Sequence, residues 1–374
     1  MLKYLQQLGG TVLSSQVKAV ILAGGQGTRL RPLTCNTQKS MVPVLNVPFL
    51  AHVIRNLKTH NITDIILAQH HLAASMARYF GDGSRFGVHL THILEDFPRG
   101  SAGAVKNAEK YLEETFLVLN GDIFHNRDFT DMLAFHHRNK AQVTIDLAPV
   151  DDPTIYGMVD TDEKWRVKRF IEKPKKEEVT SNLINAGTWV IEPDVLKRIP
   201  LNVKCSFERE IFPSLVQDNQ PVFAYPSHRY WMDAGTPDRY LQLHRDLLNG
   251  KCEGYIFDKD IINGKNCRIH STVKLSGRIM FGDDVIVEAN AKLTGPLVIG
   301  ARCRIGRGAL VKDCVIWDNV KVDALAELQG SVIADHCTIG ARTQLRDAVL
   351  GDHITLPAGS VQETGVRLFP TGEV

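Results

Sequence analysis

From residue 17 to about residue 250, short apolar runs at 19–22, 65–68 and 116–119 alternate with stretches whose aliphatic and aromatic positions fall three and four apart, as at 49–57 and 132–135. The runs have the length and composition of buried strands, and the three-four spacing gives a helix one apolar face to lay on a sheet. Strands and helices taking turns in this way predict a layered, Rossmann-like α/β domain with a mostly parallel sheet. After about residue 250 the period changes. Ile269, Leu275, Phe281, Val287, Leu293, Ile299, Ile305 and Val311 are each six apart, with Gly, Asp and small residues between them. A step of five leads to Ile316, and Val322, Leu328, Ile333, Ile339, Leu345, Leu350 and Leu356 continue in steps of six, six and five. Ile299, Ile316, Ile333 and Leu350 therefore stand 17 residues apart, one coil per repeat. Such a period predicts a parallel β-helix with three short faces per coil and an aliphatic axial core. The expected division is an extension at 1–16, the α/β domain at 17–250, a linker at 251–262 and the β-helix at 263–374.

Composition narrows the function classes. The 44 Lys and Arg nearly balance the 42 Asp and Glu, so no whole-chain field gathers nucleic acid or an anionic membrane. Seven cysteines without a Cys-x-x-Cys pair fit neither a disulfide framework nor a structural zinc site, and reduced, buried thiols in a cytoplasmic setting are the expectation. No stretch approaches the ~20 apolar residues of a membrane span, and residues 1–16 lack the apolar run of a signal peptide.

The chemistry is concentrated after the first predicted strand, where Leu22, Ala23, Gly24, Gly25, Gln26, Gly27, Thr28 and Arg29 run into Leu30, Arg31, Pro32, Leu33 and Thr34. A strand entering a glycine-rich turn lets backbone amides converge on an anion without obstruction by Cβ atoms. A tight turn alone would use the same glycines, and Arg29 and Lys39 are what favour a phosphate ligand. The loop is neither a Walker A nor a Gly-x-Gly-x-x-Gly sequence. Asp122 and Asp233 each follow a predicted strand, where α/β sheets bind ligands, although a lone Asp there also serves as a turn former or helix cap. Glu172 and Lys173 follow the apolar stretch at 167–171 and stand before Pro174, where an exposed charge pair is the plain alternative. The segment 95–103 opens a helical stretch, for which Ser101 is a fair cap.

These segments resemble the sugar-1-phosphate nucleotidyltransferase family, whose signature is Gly-Gly-x-Gly-Thr-Arg-Leu-x-Pro-Leu-Thr followed by Pro-Lys. The likeness continues through Asn120, Gly121 and Asp122; Tyr156 and Gly157; Glu172, Lys173 and Pro174; Asn185, Ala186 and Gly187; and residues 231–236. One departure is Gln38, where the family has proline before the lysine, and this puts the orientation of Lys39 in question. The resemblance implies transfer from a nucleoside triphosphate to a sugar-1-phosphate with Mg²⁺ held by Asp122 and Asp233. It implies Leu22, Ala23, Gly24, Gly25, Gly27, Thr28, Arg29, Glu95, Gly100 and Ser101 for the nucleotide. Gly157, Glu172, Lys173, Asn185 and Gly187 would then hold the sugar phosphate, and Arg29, Lys39 and Lys173 would carry the catalytic positive charge. The tail resembles hexapeptide-repeat proteins, which implies a left-handed helix; because terminal coils expose strand edges and an axial core, association or capping is expected, and with it a homo-oligomer.

Residues 206–213 and 230–233, with the β-helix after them, look most like mannose-1-phosphate guanylyltransferases, which implies GTP and mannose-1-phosphate. Glucose-1-phosphate enzymes using ATP, UTP or dTTP share every phosphate-handling residue named above. A catalytically silent regulatory subunit is a second class, opposed by the retention of Arg29, Lys39, Asp122, Lys173 and Asp233. Acyl transfer by the β-helix, with His270, His336 or His353 as base, is a third, although each sits where the repeat tolerates any polar residue. The pairs His70, His71 and His136, His137 lack further ligands at metal-site spacing and are expected to be structural. A chain ending near Gly250 is expected to keep its activity if it stays soluble.

Overall fold

The computed structural model describes residues 17–70 and 72–370; the expected extension at 1–16 lies outside the described residues. The apolar strand Lys18–Ala23 sits between Phe116–Asn120 and Asp64–Gln69, parallel to both, with His89–Leu94 parallel beyond. The inner strands Lys18–Ala23, Asp64–Gln69 and Phe116–Asn120 are buried on both faces, as their near-continuous aliphatic composition requires. Leu183–Ile191 runs antiparallel beside Phe116–Asn120 and joins the parallel part to Gly157–Thr161, Val167–Glu172 and Val143–Pro149. Because the parallel strands point the same way, the loops after Ala23, Gln69 and Asn120 open at one edge of the sheet.

One face of the sheet is covered by the helices Phe49–Thr59 and Pro237–Leu248. The other face packs Trp189 against Phe207 and Phe212, with ring centroids 5.3 Å apart in both pairs.

The β-helix follows the sequence register. Ile269, Val287, Ile305, Val322, Ile339 and Leu356 stack in one parallel sheet, Leu275, Leu293, Val311, Leu328 and Leu345 in a second, and Phe281, Ile299, Ile316, Ile333 and Leu350 in a third. These side chains form an axial core of their own, and the stack is consistent with a left-handed β-helix. Its first strand, Ile261–Ile262, lies within the segment expected as linker and pairs with Ile279–Phe281. Aspartates at the 17-residue spacing also stack: the Asp318 carboxylate accepts from Ala301 N–H at 2.8 Å, and that of Asp335 from Asp318 N–H at 2.8 Å. Burial, with Asp318 and Asp352 on either side, pushes the Asp335 carboxyl up to about 7. Cys205, Cys252, Cys267, Cys303, Cys314 and Cys337 are free thiols, and burial pushes those of Cys303, Cys314 and Cys337 up to about 12.

The coil is packed against the α/β domain. Met280, Val298, Val315, Trp317, Val332 and Val349 belong to the same apolar cluster as the helices Phe49–Thr59 and Pro237–Leu248. Trp317 Nε1 donates to the Tyr240 hydroxyl at 3.0 Å, and that hydroxyl donates to the Pro43 carbonyl. Arg245 makes a two-pronged ion pair with Asp313 at 2.9 and 2.6 Å, and Asn46 Nδ2 donates to the Ile299 carbonyl at 3.0 Å.

Candidate active site

The cleft at the parallel edge has a volume of about 350 Å³ and is lined by the turn after the first strand (Leu22, Ala23, Gly24 and Gly25), by Lys39, by Glu95, Gly100 and Ser101, and by Asn120, Gly121 and Asp122. The turn is built by Gly27, whose φ of 63° is the left-handed conformation that glycine adopts without penalty. Thr34 Oγ1 donates to the Gly27 carbonyl at 2.7 Å and ties the turn to the short helical segment that follows it.

Gln38 answers the question raised by the missing proline. Its φ is −61°, the value a proline would impose, and its buried Nε2 donates to the Ala23 carbonyl at the end of the first strand. A side-chain hydrogen bond thus anchors the segment that a ring would have stiffened. The Gln38 Oε1 is left buried without a partner.

Asp122 and Asp233 come from distant parts of the chain and are joined by a two-stranded ladder. Trp231–Asp233 runs antiparallel to Ile123–His125, with Asp233 opposite Ile123 and so next to Asp122. Lys39 Nζ lies between the two carboxylates, 2.8 Å from Asp122 Oδ2 and 3.3 Å from Asp233 Oδ1. Arg29 Nη2 is 3.3 Å and Arg239 Nη1 3.7 Å from Asp233 Oδ2. Burial works against the charge on Lys39, but Asp122 and Asp233 outweigh it and hold its pKa above the ordinary value. The surrounding protein likewise opposes ionisation of Asp122, and Lys39 with Arg29 more than offsets this, keeping its pKa below the usual carboxylate range.

Two hard carboxylate oxygens converging on one cation suit a divalent ion that takes its remaining ligands from water and phosphate, with the ammonium of Lys39 standing in for that ion. Among the described residues no group of three or more His, Cys, Asp or Glu is placed to hold a metal.

Glu95 is buried at the far end of the cleft. Its carboxylate accepts from Arg99 N–H at 3.3 Å, and desolvation raises its pKa. The helix Gly100–Asn107 begins without a side-chain cap. Ser101, a fair cap by sequence, instead donates to Glu208 Oε2 at 2.5 Å and accepts from Phe207 N–H at 2.9 Å. The Cys205 carbonyl accepts from Ala102 and Gly103 N–H at 3.0 and 3.1 Å. The segment around residues 205–208 is thus the wall against which the 95–103 loop is folded.

The residues that the resemblance ties to a sugar phosphate stand outside that cleft: Asn185 and Gly187 on Leu183–Ile191 itself, and Gly157, Glu172 and Lys173 at the ends of the two strands beyond it. Gly157 faces Glu172, where an added Cβ would lie 3.0 Å from Oε2, and Lys173 N–H donates to the Tyr156 carbonyl at 2.8 Å. Burial and then Glu208 raise the Glu172 pKa. Asn185 Oδ1 is committed to the scaffold, accepting from Gly187 N–H at 3.0 Å and Trp189 Nε1 at 2.7 Å. Thr28 and Arg29 flank the cleft without lining it.

Sequence reasoning passed over His70, which lines the cleft with Nδ1 3.2 Å from the Glu95 carbonyl, and Arg239. The sequence offers His70 only as half of a pair with no further ligand at metal-site spacing, and its neighbour His71 lies outside the described residues. His136 is buried between Thr144 Oγ1 at 2.8 Å and Glu192 Oε1 at 3.0 Å, a structural role. His336 and His353 stack on adjacent coils with centroids 4.8 Å apart and are exposed. No helix among the described residues is long and apolar enough to cross a membrane.

A parallel sheet edge with a glycine turn, gathered cations and a convergent carboxylate pair defines a class of proteins built to hold phosphate esters. Residues 18–250 match the nucleotidyl transferase family and residues 275–368 match the GMPPB C-terminal domain. The chain belongs to the sugar-1-phosphate nucleotidyltransferase family. It is similar to a mannose-1-phosphate guanylyltransferase of Mycobacterium tuberculosis, at 37% identity over 83% of this chain and 82% of that one. A UTP–glucose-1-phosphate uridylyltransferase of Synechocystis is 31% identical over 83% of this chain and 86% of its own length. Among solved structures, HddC from Yersinia pseudotuberculosis complexed with GMP-PN superposes with a TM-score of 0.53 at 29% identity, covering 61% of this chain and 97% of that one.

Proposed function

We propose that this enzyme transfers a guanylyl group from GTP to mannose-1-phosphate, giving GDP-mannose and pyrophosphate. The observation that carries the choice of base is Glu95. An ionised carboxylate only accepts hydrogen bonds, and guanine presents adjacent N1–H and N2–H donors to such a group. Adenine offers an acceptor at N1, and uracil or thymine flanks one N–H with two carbonyls, so each would leave the buried Glu95 mismatched. The wall at residues 205–208 supports the same reading, because it folds the Glu95 loop and belongs to the segment that looks like guanylyltransferases. The Mycobacterium relative's name supports mannose-1-phosphate as acceptor.

An oxygen of the sugar phosphate already carries charge. It can attack the α-phosphorus in line while the bond to the bridging oxygen breaks and pyrophosphate leaves, without a general base. The protein's work is to hold two anions together and to steady the charge on the crowded phosphorus and leaving group. In this reading the amides of Gly24, Gly25 and Gly27, with Arg29 and Lys39, receive the triphosphate, and Lys173 receives the sugar phosphate. Asp122 and Asp233 would hold Mg²⁺, which would supply Lewis-acid charge to the reacting phosphates.

A panel of GTP, ATP, UTP, dTTP and CTP against mannose-1-phosphate and glucose-1-phosphate, read by pyrophosphate release, tests the proposal. GTP with mannose-1-phosphate is expected to give the highest kcat/KM, with discrimination up to about 10⁴ where a mismatch leaves a buried group unpaired. The Synechocystis relative favours UTP with glucose-1-phosphate as the second reading, and a maximum there would replace the substrates and keep the mechanism. Silence across the panel would support a regulatory subunit.

A further inference from the structure

The carboxylate pair is served by more positive charge than it needs. Asp233 is already within 3.3 Å of both Lys39 and Arg29, and Lys39 also pairs with Asp122. Arg239 stands beside them as a third cation, with a side chain 39% exposed and so not spent inside the core. It projects from the first turn of the helix Pro237–Leu248, where Thr236 caps the end by accepting from Arg239 N–H at 3.4 Å. Its guanidinium donates to the Tyr156 hydroxyl and lies 5.8 Å from the centre of that ring. The Tyr156 ring packs edge-on against Trp231 at 5.7 Å, and the Tyr156 carbonyl accepts from Lys173 N–H. The guanidinium therefore spans the gap between the carboxylate pair and the Tyr156–Gly157–Glu172–Lys173 turn.

We propose that Arg239 binds the phosphate of the incoming sugar-1-phosphate, opposite Lys173. This rests on the transfer reading for the identity of the ligand, and on the geometry above for its place. A phosphate with one edge toward Lys173 and the other toward Asp233 needs a donor that offsets the carboxylate, and an arginine fork fits two phosphate oxygens at once where an ammonium offers a single point of charge. The helix end behind Arg239 adds partial positive charge in the same direction. Tyr156, by holding the guanidinium, is a positioning residue. If Arg239 served only to neutralise Asp233, its loss would fall on the metal side and on both substrates alike.

The test uses the full chain with Mg²⁺ and a saturating GTP analogue that cannot be cleaved between the α and β phosphorus. Mannose-1-phosphate is titrated calorimetrically into the wild type, R239Q and R239K, and steady-state constants are measured in parallel with GTP. R239Q is expected to weaken mannose-1-phosphate by roughly 10- to 100-fold, the loss of one or two charge-assisted hydrogen bonds, and to leave the KM for GTP within about twofold. R239K is expected to recover part of the affinity, and Y156F to lose a smaller part. Equal affinity of R239Q and wild type for mannose-1-phosphate overturns the inference, as does an equal rise in both KM values. A wild type that binds neither mannose-1-phosphate nor glucose-1-phosphate overturns the transfer reading itself and the inference with it. Thermal midpoints of the variants near that of the wild type exclude misfolding, and R239K keeps the test alive where R239Q does not fold.

Discussion

Alanine at Gly25 and at Gly27 separates what the glycine turn does for substrate from what it does for the fold. A Cβ on Gly25 meets no protein atom within 4 Å, and its φ is outside the left-handed region, so the free protein should melt within about 1 °C of wild type. The same methyl group stands in the cleft. A phosphate oxygen must come to about 2.9 Å of an amide nitrogen to bond it, and a methyl group in the way forfeits one or two such bonds. At roughly 1.5–3 kcal/mol for hydrogen bonds to a charged group, kcat/KM for GTP should fall about 10- to 100-fold, mostly through KM. Gly27→Ala is a different perturbation. A φ of 63° costs an alanine about 1–2 kcal/mol, and its Cβ would lie 3.0 Å from Lys39 Cβ and 3.2 Å from Thr34 Cγ2. Those neighbours must yield by a few tenths of an ångström, and Lys39 carries the shift toward its 2.8 Å contact with Asp122. A fall in melting temperature of about 2–8 °C and a loss of kcat of about tenfold or more should follow. Pyrophosphate release at varied GTP, beside differential scanning fluorimetry, reads both. A Gly25→Ala protein with wild-type kinetics would show that the turn's amides do not receive phosphate, and one as unstable as Gly27→Ala would contradict the turn geometry.

Four further outcomes are expected. Asp233→Asn should lower kcat by roughly 10² or more at limiting Mg²⁺ while the protein stays folded, and a near-normal rate would remove Asp233 from the metal. Because burial raises the Glu95 pKa, acidification should protonate it and raise the KM for GTP before exposed carboxylates titrate, whereas Glu95→Gln should show a raised but pH-independent KM. Asp335, at about 7 in the folded chain against 3.8 as its reference, takes up its proton in the native state first, so its contribution to stability is larger at pH 5 than at pH 8. Denaturant titrations at those two pH values should show the difference in wild type and a smaller one in Asp335→Asn. A chain ending at Gly250 would expose the apolar cluster it shares with the coil and should lose solubility and activity together. Wild-type turnover by a soluble fragment of that kind would show that the packing of Trp317 on Tyr240 is dispensable.

The β-helix was legible because a coil repeats one local instruction, an inward aliphatic every sixth residue, and errors of register cannot accumulate when each face restates it. Ile299, Ile316, Ile333 and Leu350 therefore stack as their spacing predicts. The glycine turn was legible for a related reason, since strand, turn and cations lie within a few residues of each other. Asp122 and Asp233 could be named from resemblance, but what unites them is the antiparallel ladder of Trp231–Asp233 on Ile123–His125, a long-range pairing that no local pattern encodes. Arg239 was missed on the same ground: at the start of an amphipathic helix it looks like one more solvated charge, and only the fold brings Tyr156 to it. Gln38 looked like a defect because sequence shows the loss of a ring and not the hydrogen bond to Ala23 that replaces it.

The chain of contacts from Trp317 through Tyr240 to Pro43 has a consequence for thermodynamics. Pro43 closes the segment that carries Lys39, and Tyr240 follows Arg239 on its helix, so one indole in the coil steadies both sides of the cleft. Folding of the coil and occupancy of the cleft are then linked quantities. Ligand at 100 times its dissociation constant adds about 2.7 kcal/mol to the stability of whatever must be folded to bind it. The β-helix lies within that unit, so substrates should raise the temperature at which the coil melts. By the same reciprocity, a load placed on the coil is felt as a change in substrate affinity.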